Sequence, residues 1–393
     1  MIKPIHLGLL LSLFAGGAWA DIALTTFDLG LGMSVDAYEH GEKDRPEEDI
    51  SALYSIKAQA DAGDAFAVAL EGIGECCDDD WFNLKRLNAS YATENLRFLV
   101  GYDLLRWGKT TLYSPVDSIN AIDYREDITG QQKRGQLIVS AKALDLFGGT
   151  AELVLVPNNQ DDELPEFTTG MPLRMAKIEP DRDQGGAALR YSKKIGGFHL
   201  GVSAQDMVAH QRQVLGMQLT PDGVALLSSQ PRARFVGFEL QKDLSSALIF
   251  SADLAAGNNQ LGRSSSWDDF HAYSLGLDYS LPFAFSDEHT ANLVLEKHYD
   301  SRDALAPTFY QDDWYLGATY ALNDVSNTLV RAGVIQDSEY RTDIYTASLA
   351  RQFLEGRALL TLRYFAVQGD EPMDKLYLFE EFNGTRLELM YVF

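Results

Sequence analysis

The sequence predicts an all-β fold, and within that class a transmembrane antiparallel up-and-down β-barrel of about 18 strands, with about 16 as the alternative. Three observations support this prediction. Apolar and polar residues alternate in runs long enough to cross a bilayer, the connections between runs are alternately short and long, and the final strand is rich in aromatic residues. A soluble β-sandwich is the alternative fold, but it needs neither alternating connection lengths nor an even number of strands.

Alternation of apolar and polar side chains recurs along the chain. In the run 96–104, Phe98 and Val100 share one face, whereas Arg97 and Asp103 share the other. Successive side chains of a strand point to opposite faces, so one face of such a run would meet lipid and the other water. Each run has about 9–11 residues, which is the length that a tilted strand needs to cross a bilayer.

The connections between the runs predict the number of strands. Short connections are expected at 61–64, 93–95, 145–148, 193–197, 243–246, 281–290, 323–327 and 353–356. Long connections are expected near 40–49, 73–80, 106–134, 157–184, 207–232, 257–269, 300–311, 336–341 and 368–384. In barrels of this kind, short turns face the periplasm and long loops face outward. These eight short and nine long connections separate eighteen strands, enough to enclose an aqueous channel.

The first residues resemble a secretory signal. Lys3 supplies a positive charge, 7–14 is mostly apolar, and Ala18-Trp19-Ala20 fits a cleavage site before Asp21. The sequence therefore predicts a signal peptide at 1–20 and a single barrel domain at 21–393. No stretch is continuously apolar over the roughly 20 residues that a spanning helix needs.

The last residues predict a membrane-assembly signal. Four apolar or aromatic side chains share one face of the final strand, and they are Leu387, Leu389, Tyr391 and Phe393. Bacterial outer-membrane proteins characteristically end in this way. The resemblance implies that the barrel-assembly machinery reads this strand.

The charges limit the partners of the chain. The formal net charge is −24, which disfavours nucleic acid because phosphate binding needs basic surfaces. On the predicted register the lumen wall is near neutral and should hold ion pairs, so the acidic excess belongs mostly to the loops. The inward basic residues are Lys57, Arg86, Arg97, Lys142, Arg190, Arg234, Arg331 and Arg363, and the inward acids are Glu71, Asp103, Glu152, Glu239, Asp253, Asp278, Glu296 and Glu388. The acidic outer surface is either simply solvated or bridged by divalent cations among outer-membrane lipid and lipopolysaccharide.

Cysteine usage gives little support for a bound group. The two cysteines, Cys76 and Cys77, are adjacent, so they cannot form an extended disulfide framework. We predict no cofactor and no metal site.

The connection 106–134 is the candidate constriction of the lumen. It is long, and Gly108 and Pro115 interrupt it, while its aromatic and isoleucine residues indicate a packed loop rather than a disordered one. Basic and acidic groups facing each other at a narrow point would create a transverse field. The alternative is that these residues only fix the loop to the wall by ion pairs. The candidate lumen residues are Arg106, Lys109, Asp117, Asn120, Asp123 and Arg125 in the loop, with Arg97 and Asp103 on the preceding strand.

This connection carries a family resemblance. The segments Trp107-Gly108-Lys109-Thr110 and Ser114-Pro115-Val116-Asp117-Ser118-Ile119-Asn120 resemble a group of Gram-negative outer-membrane porin-like barrels. In that group a loop with a P-x-D-x-(I/L)-N pattern follows a strand that ends in R-x-x-W-G, whereas here Arg106 directly precedes Trp107. The resemblance covers roughly residues 96–166, and it implies a transport barrel.

Three classes of function are therefore weighed. The polar lumen favours a channel for small hydrophilic solutes in the outer membrane. An export or lipid-handling barrel is the alternative, although a near-neutral wall argues against passage of a highly charged polymer. An outer-membrane hydrolase is less favoured, and its best constellation would be Glu296 and His298 with Asp278 on the neighbouring strand. The sequence does not report the oligomeric state.

Overall fold

The computed structural model describes residues 22–38, 48–76, 80–165, 173–177, 185–220, 223–261, 266–282, 286, 288–369 and 374–393. The predicted signal peptide and Cys77 lie outside these residues. Among the residues described, no helix is long and apolar enough to cross a bilayer.

The described residues form twenty-one β-strands and three short 3-10 helices. The strands are β1 (Ile22–Tyr38), β2 (Glu48–Ala62), β3 (Phe66–Cys76), β4 (Trp81–Ala92), β5 (Leu96–Asp103), β6 (Gln136–Leu146), β7 (Gly149–Val156), β8 (Leu173–Lys177), β9 (Gly186–Ile195), β10 (Phe198–Val208), β11 (Gln213–Thr220), β12 (Gly223–Ser229), β13 (Arg232–Asp243), β14 (Leu248–Gln260), β15 (Asp268–Pro282), β16 (Thr290–Asp300), β17 (Asp313–Ala321), β18 (Leu329–Asp337), β19 (Asp343–Phe353), β20 (Ala358–Gln368) and β21 (Gly384–Val392). The helices are Asp303–Leu305, Leu354–Gly356 and Leu376–Phe382.

Eighteen of these strands form one antiparallel sheet that closes on itself. Each barrel strand pairs with the next one along the chain, and β1 also pairs with β21, from Gly30 opposite Val392 to Tyr38 opposite Gly384. Closure leaves the sheet without an unpaired edge. The predicted all-β, up-and-down barrel of about 18 strands is confirmed.

The connections lie close to the predicted positions, and most of them alternate in length, although 77–80 and 338–342 at the long-loop end are shorter than 283–289 and 322–328 at the other end. The short ones are 63–65, 93–95, 147–148, 196–197, 244–247, 283–289, 322–328 and 354–357. The long ones are 39–47, 77–80, 104–135, 157–185, 209–231, 261–267, 301–312, 338–342 and 369–383. The tightest turns need left-handed backbone, and in the connection 147–148 both Phe147 (φ 51°) and Gly148 (φ 74°) adopt it.

The remaining three strands form a small separate sheet, which the sequence did not predict. Strand β8 pairs in parallel with β12, and β12 pairs in antiparallel with β11. All three lie within the long connections 157–185 and 209–231, so this sheet joins two loops at the same end of the barrel.

The two faces of the barrel differ as the alternation predicts. On the outer face, Val100, Val236 and Leu316 each leave more than half of their surface exposed (54%, 58% and 56%). On the inner face, five predicted inward basic residues bind an acid of another strand. These pairs are Arg86–Glu71 (2.9 Å), Lys142–Glu152 (3.0 Å), Arg190–Glu239 (2.6 Å), Arg234–Asp206 (3.1 Å) and Arg363–Glu388 (3.2 Å). The barrel is therefore apolar outside, and many of the charges inside form ion pairs.

Strand β21 completes the seam. Leu387 and Leu389 are exposed on the outer face. The backbone N–H of Phe393 donates to the Leu29 carbonyl at 2.9 Å, and its ring lies edge-on to Tyr391 with centroids 4.8 Å apart. Phe393 therefore contributes one backbone hydrogen bond and one aromatic contact to the junction of β21 with β1.

We expect deletion of Phe393 to lower the yield of folded barrel, because the hydrogen bond to Leu29 and the contact with Tyr391 would be lost together. The two are worth about 1 kcal/mol each. The measurement is the heat-modifiable fraction after refolding into detergent or lipid. The control is Phe393→Tyr, which keeps both the ring and the N–H group. Equal yields for the deletion and the parent chain would contradict this role.

Candidate functional site

The connection 104–135 lies inside the barrel. Its residues bind inward side chains of strands far apart on the wall: Lys85 of β4, Gln205 of β10, Asp253 of β14, Glu296 of β16 and Arg363 of β20. A loop that reaches all these strands must cross the lumen. The packed loop expected from the sequence is therefore present, and it narrows the barrel.

Two wall carboxylates hold the first part of the loop. The Asp253 Oδ2 atom accepts hydrogen bonds from the backbone N–H groups of Lys109 (2.7 Å) and Thr110 (2.9 Å), and from the Thr110 hydroxyl (2.7 Å). The Glu296 carboxylate accepts from the N–H groups of Thr111 (2.5 Å) and Leu112 (2.9 Å). Both acids are buried, at 0% and 2% exposure. Four successive N–H groups of the loop thus donate to one oxygen of Asp253 and to both oxygens of Glu296, and such hydrogen bonds offset the cost of burying a carboxylate.

Gly108 allows the loop to turn into these anchors. Its φ is +91°, and a Cβ atom there would lie 2.2 Å from the Ser114 hydroxyl oxygen. A larger residue would both clash and require an unfavourable backbone conformation. This is the physical reason for the glycine that the sequence showed between Trp107 and Lys109.

The middle of the loop is held on the β10 side. The Gln205 amide donates to the Val116 carbonyl at 2.8 Å, and its oxygen accepts from the Ser118 hydroxyl at 2.6 Å. His210 places one ring nitrogen 3.1 Å from the Ser118 carbonyl and the other 2.8 Å from the Gln160 carbonyl. Burial lowers the pKa of His210, so at neutral pH the ring is uncharged and donates to one of these carbonyls.

Three of the candidate lumen residues make their contacts within the loop and its base. Asp117 accepts from the Trp107 N–H (3.1 Å) and pairs with Lys133 (2.6 Å). The Asn120 amide bridges the Leu105 N–H and the carbonyls of Asp103 and Arg134. The fully buried Asp123 binds Arg125 at 2.8 Å. These side chains stabilise the loop conformation.

The other candidates lie in different places. Arg106 and Arg125 line the cavity described below. Lys109 reaches Asp253 through its backbone N–H. Asp103 pairs with Arg86 at 3.1 Å, and Arg97 lies beside a short turn, opposite Ala92 and Lys142 on the neighbouring strands.

A cavity of about 1040 Å³ remains between the loop and one side of the wall. The loop side includes Arg106, Thr111, Leu112 and 124–129, and the wall side comes from β1–β4 and β15–β21. Glu126 and Asp127 on the loop face the wall arginines, and the Arg363 guanidinium donates to the Glu126 carbonyl at 3.1 Å. The sequence analysis did not select Glu126 as a lining residue or Asp253 as an anchor of the loop.

One continuous row of polar residues, which we call the polar row, crosses the wall of this cavity. Its members are direct register partners on nine successive strands from β15 to β2: Ser280, Asn292, Thr319, Arg331, Ser348, Arg363, Arg386, Asp36 and Asp49. Strands in a barrel tilt from its axis, so a row across the sheet also climbs along the axis. The polar row runs from the short-turn end at Ser280 to the long-loop end at Asp49.

Glu296 and His298, the residues considered for catalysis, hold the loop to the wall in this structure. His298 lies 3.5 Å from Glu296 and 2.9 Å from the Ser274 hydroxyl, and neither Ser274 nor His298 is exposed. Glu296 is already occupied by two loop N–H groups, and the Tyr113 ring lies edge-on to His298. Asp278 is not part of this group and lines the cavity instead.

Neither a protein-family model nor a curated protein sequence matches this chain. Solved structures match over nearly the whole length. A BenF-like porin from Pseudomonas fluorescens shares 12% identity with a TM-score of 0.56, covering 96% of this chain and 100% of the other. OccAB3 of Acinetobacter baumannii shares 14% identity with a TM-score of 0.53 (95% and 99% covered). OccK2 (OpdF) of Pseudomonas aeruginosa, solved in complex with glucuronate, shares 12% identity with a TM-score of 0.54 (96% and 99% covered). These likenesses show the fold.

We expect the double variant Asp253→Ala, Glu296→Ala to release the loop from the wall. Each lost hydrogen bond to a charged group is worth about 1.5–3 kcal/mol, and five are lost together. Limited proteolysis of the refolded barrel should then cleave within 104–135. The control is Asp278→Ala, a wall carboxylate that lines the cavity. Equal protease protection of the loop in the double variant and the control would contradict the anchoring.

Proposed function

We propose that this protein is a channel of the bacterial outer membrane through which small hydrophilic solutes cross. The observation that carries the proposal is the lumen: a closed 18-stranded barrel holds a folded loop and still leaves a polar cavity of about 1040 Å³ beside it. Barrels of this strand number leave room for an aqueous path. The apolar outer face suits lipid, and one of the matching structures is described as a BenF-like porin.

The path proposed for the solute follows the polar row. Every position of the polar row offers a hydroxyl, amide or charged group. At each height along the channel axis, these groups can replace the water around a polar solute. The loop side presents Arg106, Arg125, Glu126 and Asp127 across from the wall arginines. Both charge signs therefore act across the same narrow space. We propose that this segment, within the expected constriction 106–134, is where passage is limited.

The proposal includes no catalytic step. The serine, histidine and glutamate that come together in the wall are covered by the loop and engaged in holding it. An export role for a charged polymer is less well supported, because a lumen carrying both signs would bind such a chain unevenly. Outer-membrane lipid and lipopolysaccharide around the barrel, cleavage after Ala20, and recognition of β21 by the assembly machinery remain part of the proposal.

Purified protein in a planar lipid bilayer should give discrete single-channel conductance steps. Arg106→Ala should change the step size by roughly a factor of two, because the removed guanidinium lies on the cavity wall and acts on permeant ions at short range. The matched control is Arg97→Ala, beside a short turn at the base of β5, which should leave the step size unchanged. Absence of conductance in the unaltered protein would refute the channel. Identical steps in Arg106→Ala and the parent protein would remove Arg106 from the constriction.

A further inference from the structure

We propose that the long-loop end of the barrel holds a calcium ion, where the connections 301–312, 338–342 and 369–383 meet strands β17, β18 and β19. Five buried side chains form the site, and we call them the oxygen cluster: Gln311, Asp313, Asp337, Thr342 and Asp374. No metal site is expected from the sequence alone, because only the fold brings these residues together. The proposal is independent of the channel function.

Three carboxylates of the oxygen cluster are removed from solvent. Asp313, Asp337 and Asp374 are exposed at only 0%, 1% and 1%. None of the three forms an ion pair among the described residues. Burying an ionised carboxylate without a charged partner is costly, and three carboxylates close together also repel one another. The oxygen cluster therefore needs positive charge that the described side chains do not supply.

Asp337 lies at the centre of the oxygen cluster. It is the register partner of Asp313 on β17, and its N–H donates to the Thr342 carbonyl at 2.9 Å. Its Oδ2 atom accepts from the Gln311 amide at 3.0 Å. Asp374 lies close enough to act electrostatically on both Asp313 and Asp337. Three separate connections thus bring their polar side chains to one point on the wall.

Four oxygen atoms of the oxygen cluster are buried without a hydrogen-bond partner. They are Asp313 Oδ1, Asp374 Oδ2, Gln311 Oε1 and Thr342 Oγ1. Both oxygens of Asp337, by contrast, are occupied, because Oδ1 accepts from the N–H groups of Glu339 and Tyr340 at 2.7 Å each. Nearly all buried polar atoms in folded proteins are hydrogen-bonded. Four exceptions within one cluster indicate a ligand that binds oxygen lone pairs, and a cation is such a ligand.

The donor atoms select the kind of cation. Carboxylate, amide and hydroxyl oxygens without nitrogen or sulfur are ligands for a hard ion, and Ca²⁺ accepts six to eight of them in variable geometry. Asp313 and Asp374 carry the two negative charges that one divalent ion balances. No three Asp, Glu, His or Cys side chains among the described residues are placed to hold a metal by themselves. The amide and hydroxyl oxygens therefore belong to the site, and water completes it.

Two basic side chains near the oxygen cluster are engaged elsewhere. Lys297 pairs with Asp312 at 2.5 Å. The ammonium group of Lys375 donates to the carbonyls of Ala306 (2.6 Å) and Thr308 (3.3 Å). Neither lysine donates to a carboxylate of the oxygen cluster, so neither takes the place of a bound cation.

A calcium ion at this position would fix the outer loops over the connection 104–135. The 3-10 helix Leu376–Phe382 begins just after Asp374. Its Phe379 ring packs against Phe309 and against Tyr124 of the connection 104–135, with centroids 5.1 Å and 6.0 Å apart. The ion would thus join the loops on both sides of this aromatic contact to the barrel wall.

Equilibrium dialysis of the refolded barrel against radioactive Ca²⁺ tests the proposal, in detergent free of lipopolysaccharide. Salt at about 0.15 M weakens binding to exposed acids. We expect the parent chain to bind one ion more than Asp313→Asn with Asp374→Asn, with a dissociation constant of about 1 mM or below. The matched control is Asp127→Asn with Asp278→Asn, two acids that line the cavity, which should keep the ion. Equal numbers of bound ions in the parent and the Asp313, Asp374 variant would overturn the site.

Protease sensitivity of 301–312 and 369–383 separates a bound ion from a purely structural role of the two carboxylates. At about ten times its dissociation constant, Ca²⁺ should slow cleavage of the parent roughly tenfold relative to EDTA, because it binds only the closed loops. Calcium should not change cleavage of Asp313→Asn with Asp374→Asn. In EDTA this variant should resist the protease at least as well as the parent, since the repulsion between buried charges is reduced.

Asparagine at both positions can still accept the hydrogen bonds from the N–H groups of Asp312 and Leu376. Faster cleavage of the variant than of the parent in EDTA would therefore show that the protein alone compensates the carboxylates, and it would overturn the proposal. Neither measurement uses conductance, so failure of the calcium site and failure of the channel function are distinguishable.

Discussion

The lumen depends on one interaction, the capture of four successive backbone N–H groups by two wall carboxylates. Residues 109–112 lie outside any strand, and their N–H groups have no partner in the barrel sheet. Asp253 and Glu296 are buried charges that would otherwise lack donors. An unpaired buried N–H and an unsolvated carboxylate are each costly. The hydrogen bonds between the N–H groups and the carboxylates lower both costs, and they fix the loop across the lumen.

The strands could be predicted because the alternation of apolar and polar residues and the closure of the barrel together allow few arrangements of the strands. The run 96–104 became β5 with its polar side chains inward, and even the brief connection 338–342 was correctly counted as a boundary between strands. The sheet of β8, β11 and β12 was missed because it lies within two loops, where no bilayer imposes a regular alternation of apolar and polar residues. The alternation of apolar and polar residues predicts which side chains face lipid. It carries less information about segments that lie outside the bilayer.

The loop shows the limit of the same reasoning. Its length and aromatic content predicted a packed loop, and the structure places it inside the barrel. Arg106 and Arg125 are candidates that line the cavity, but a loop has no fixed period that would assign its other residues to a face. Asp117, Asn120 and Asp123 are polar and looked suited to water, yet they satisfy basic groups and backbone atoms of the loop itself. Glu126 and Asp127, a few residues further on, face the cavity instead.

The arginines of the wall show why the electrostatics of a lumen depends on partners rather than on the residue type alone. Arg386 and Asp36 are 350 residues apart in sequence and meet because β21 pairs with β1. The two neighbouring registers, β20 with β21 and β1 with β2, place Arg363 beside Glu388 and Asp36 beside Asp49. A shift of one residue would turn each of these side chains to the opposite face. The pairing that completes the barrel therefore also sets which charged side chains meet on the lumen wall.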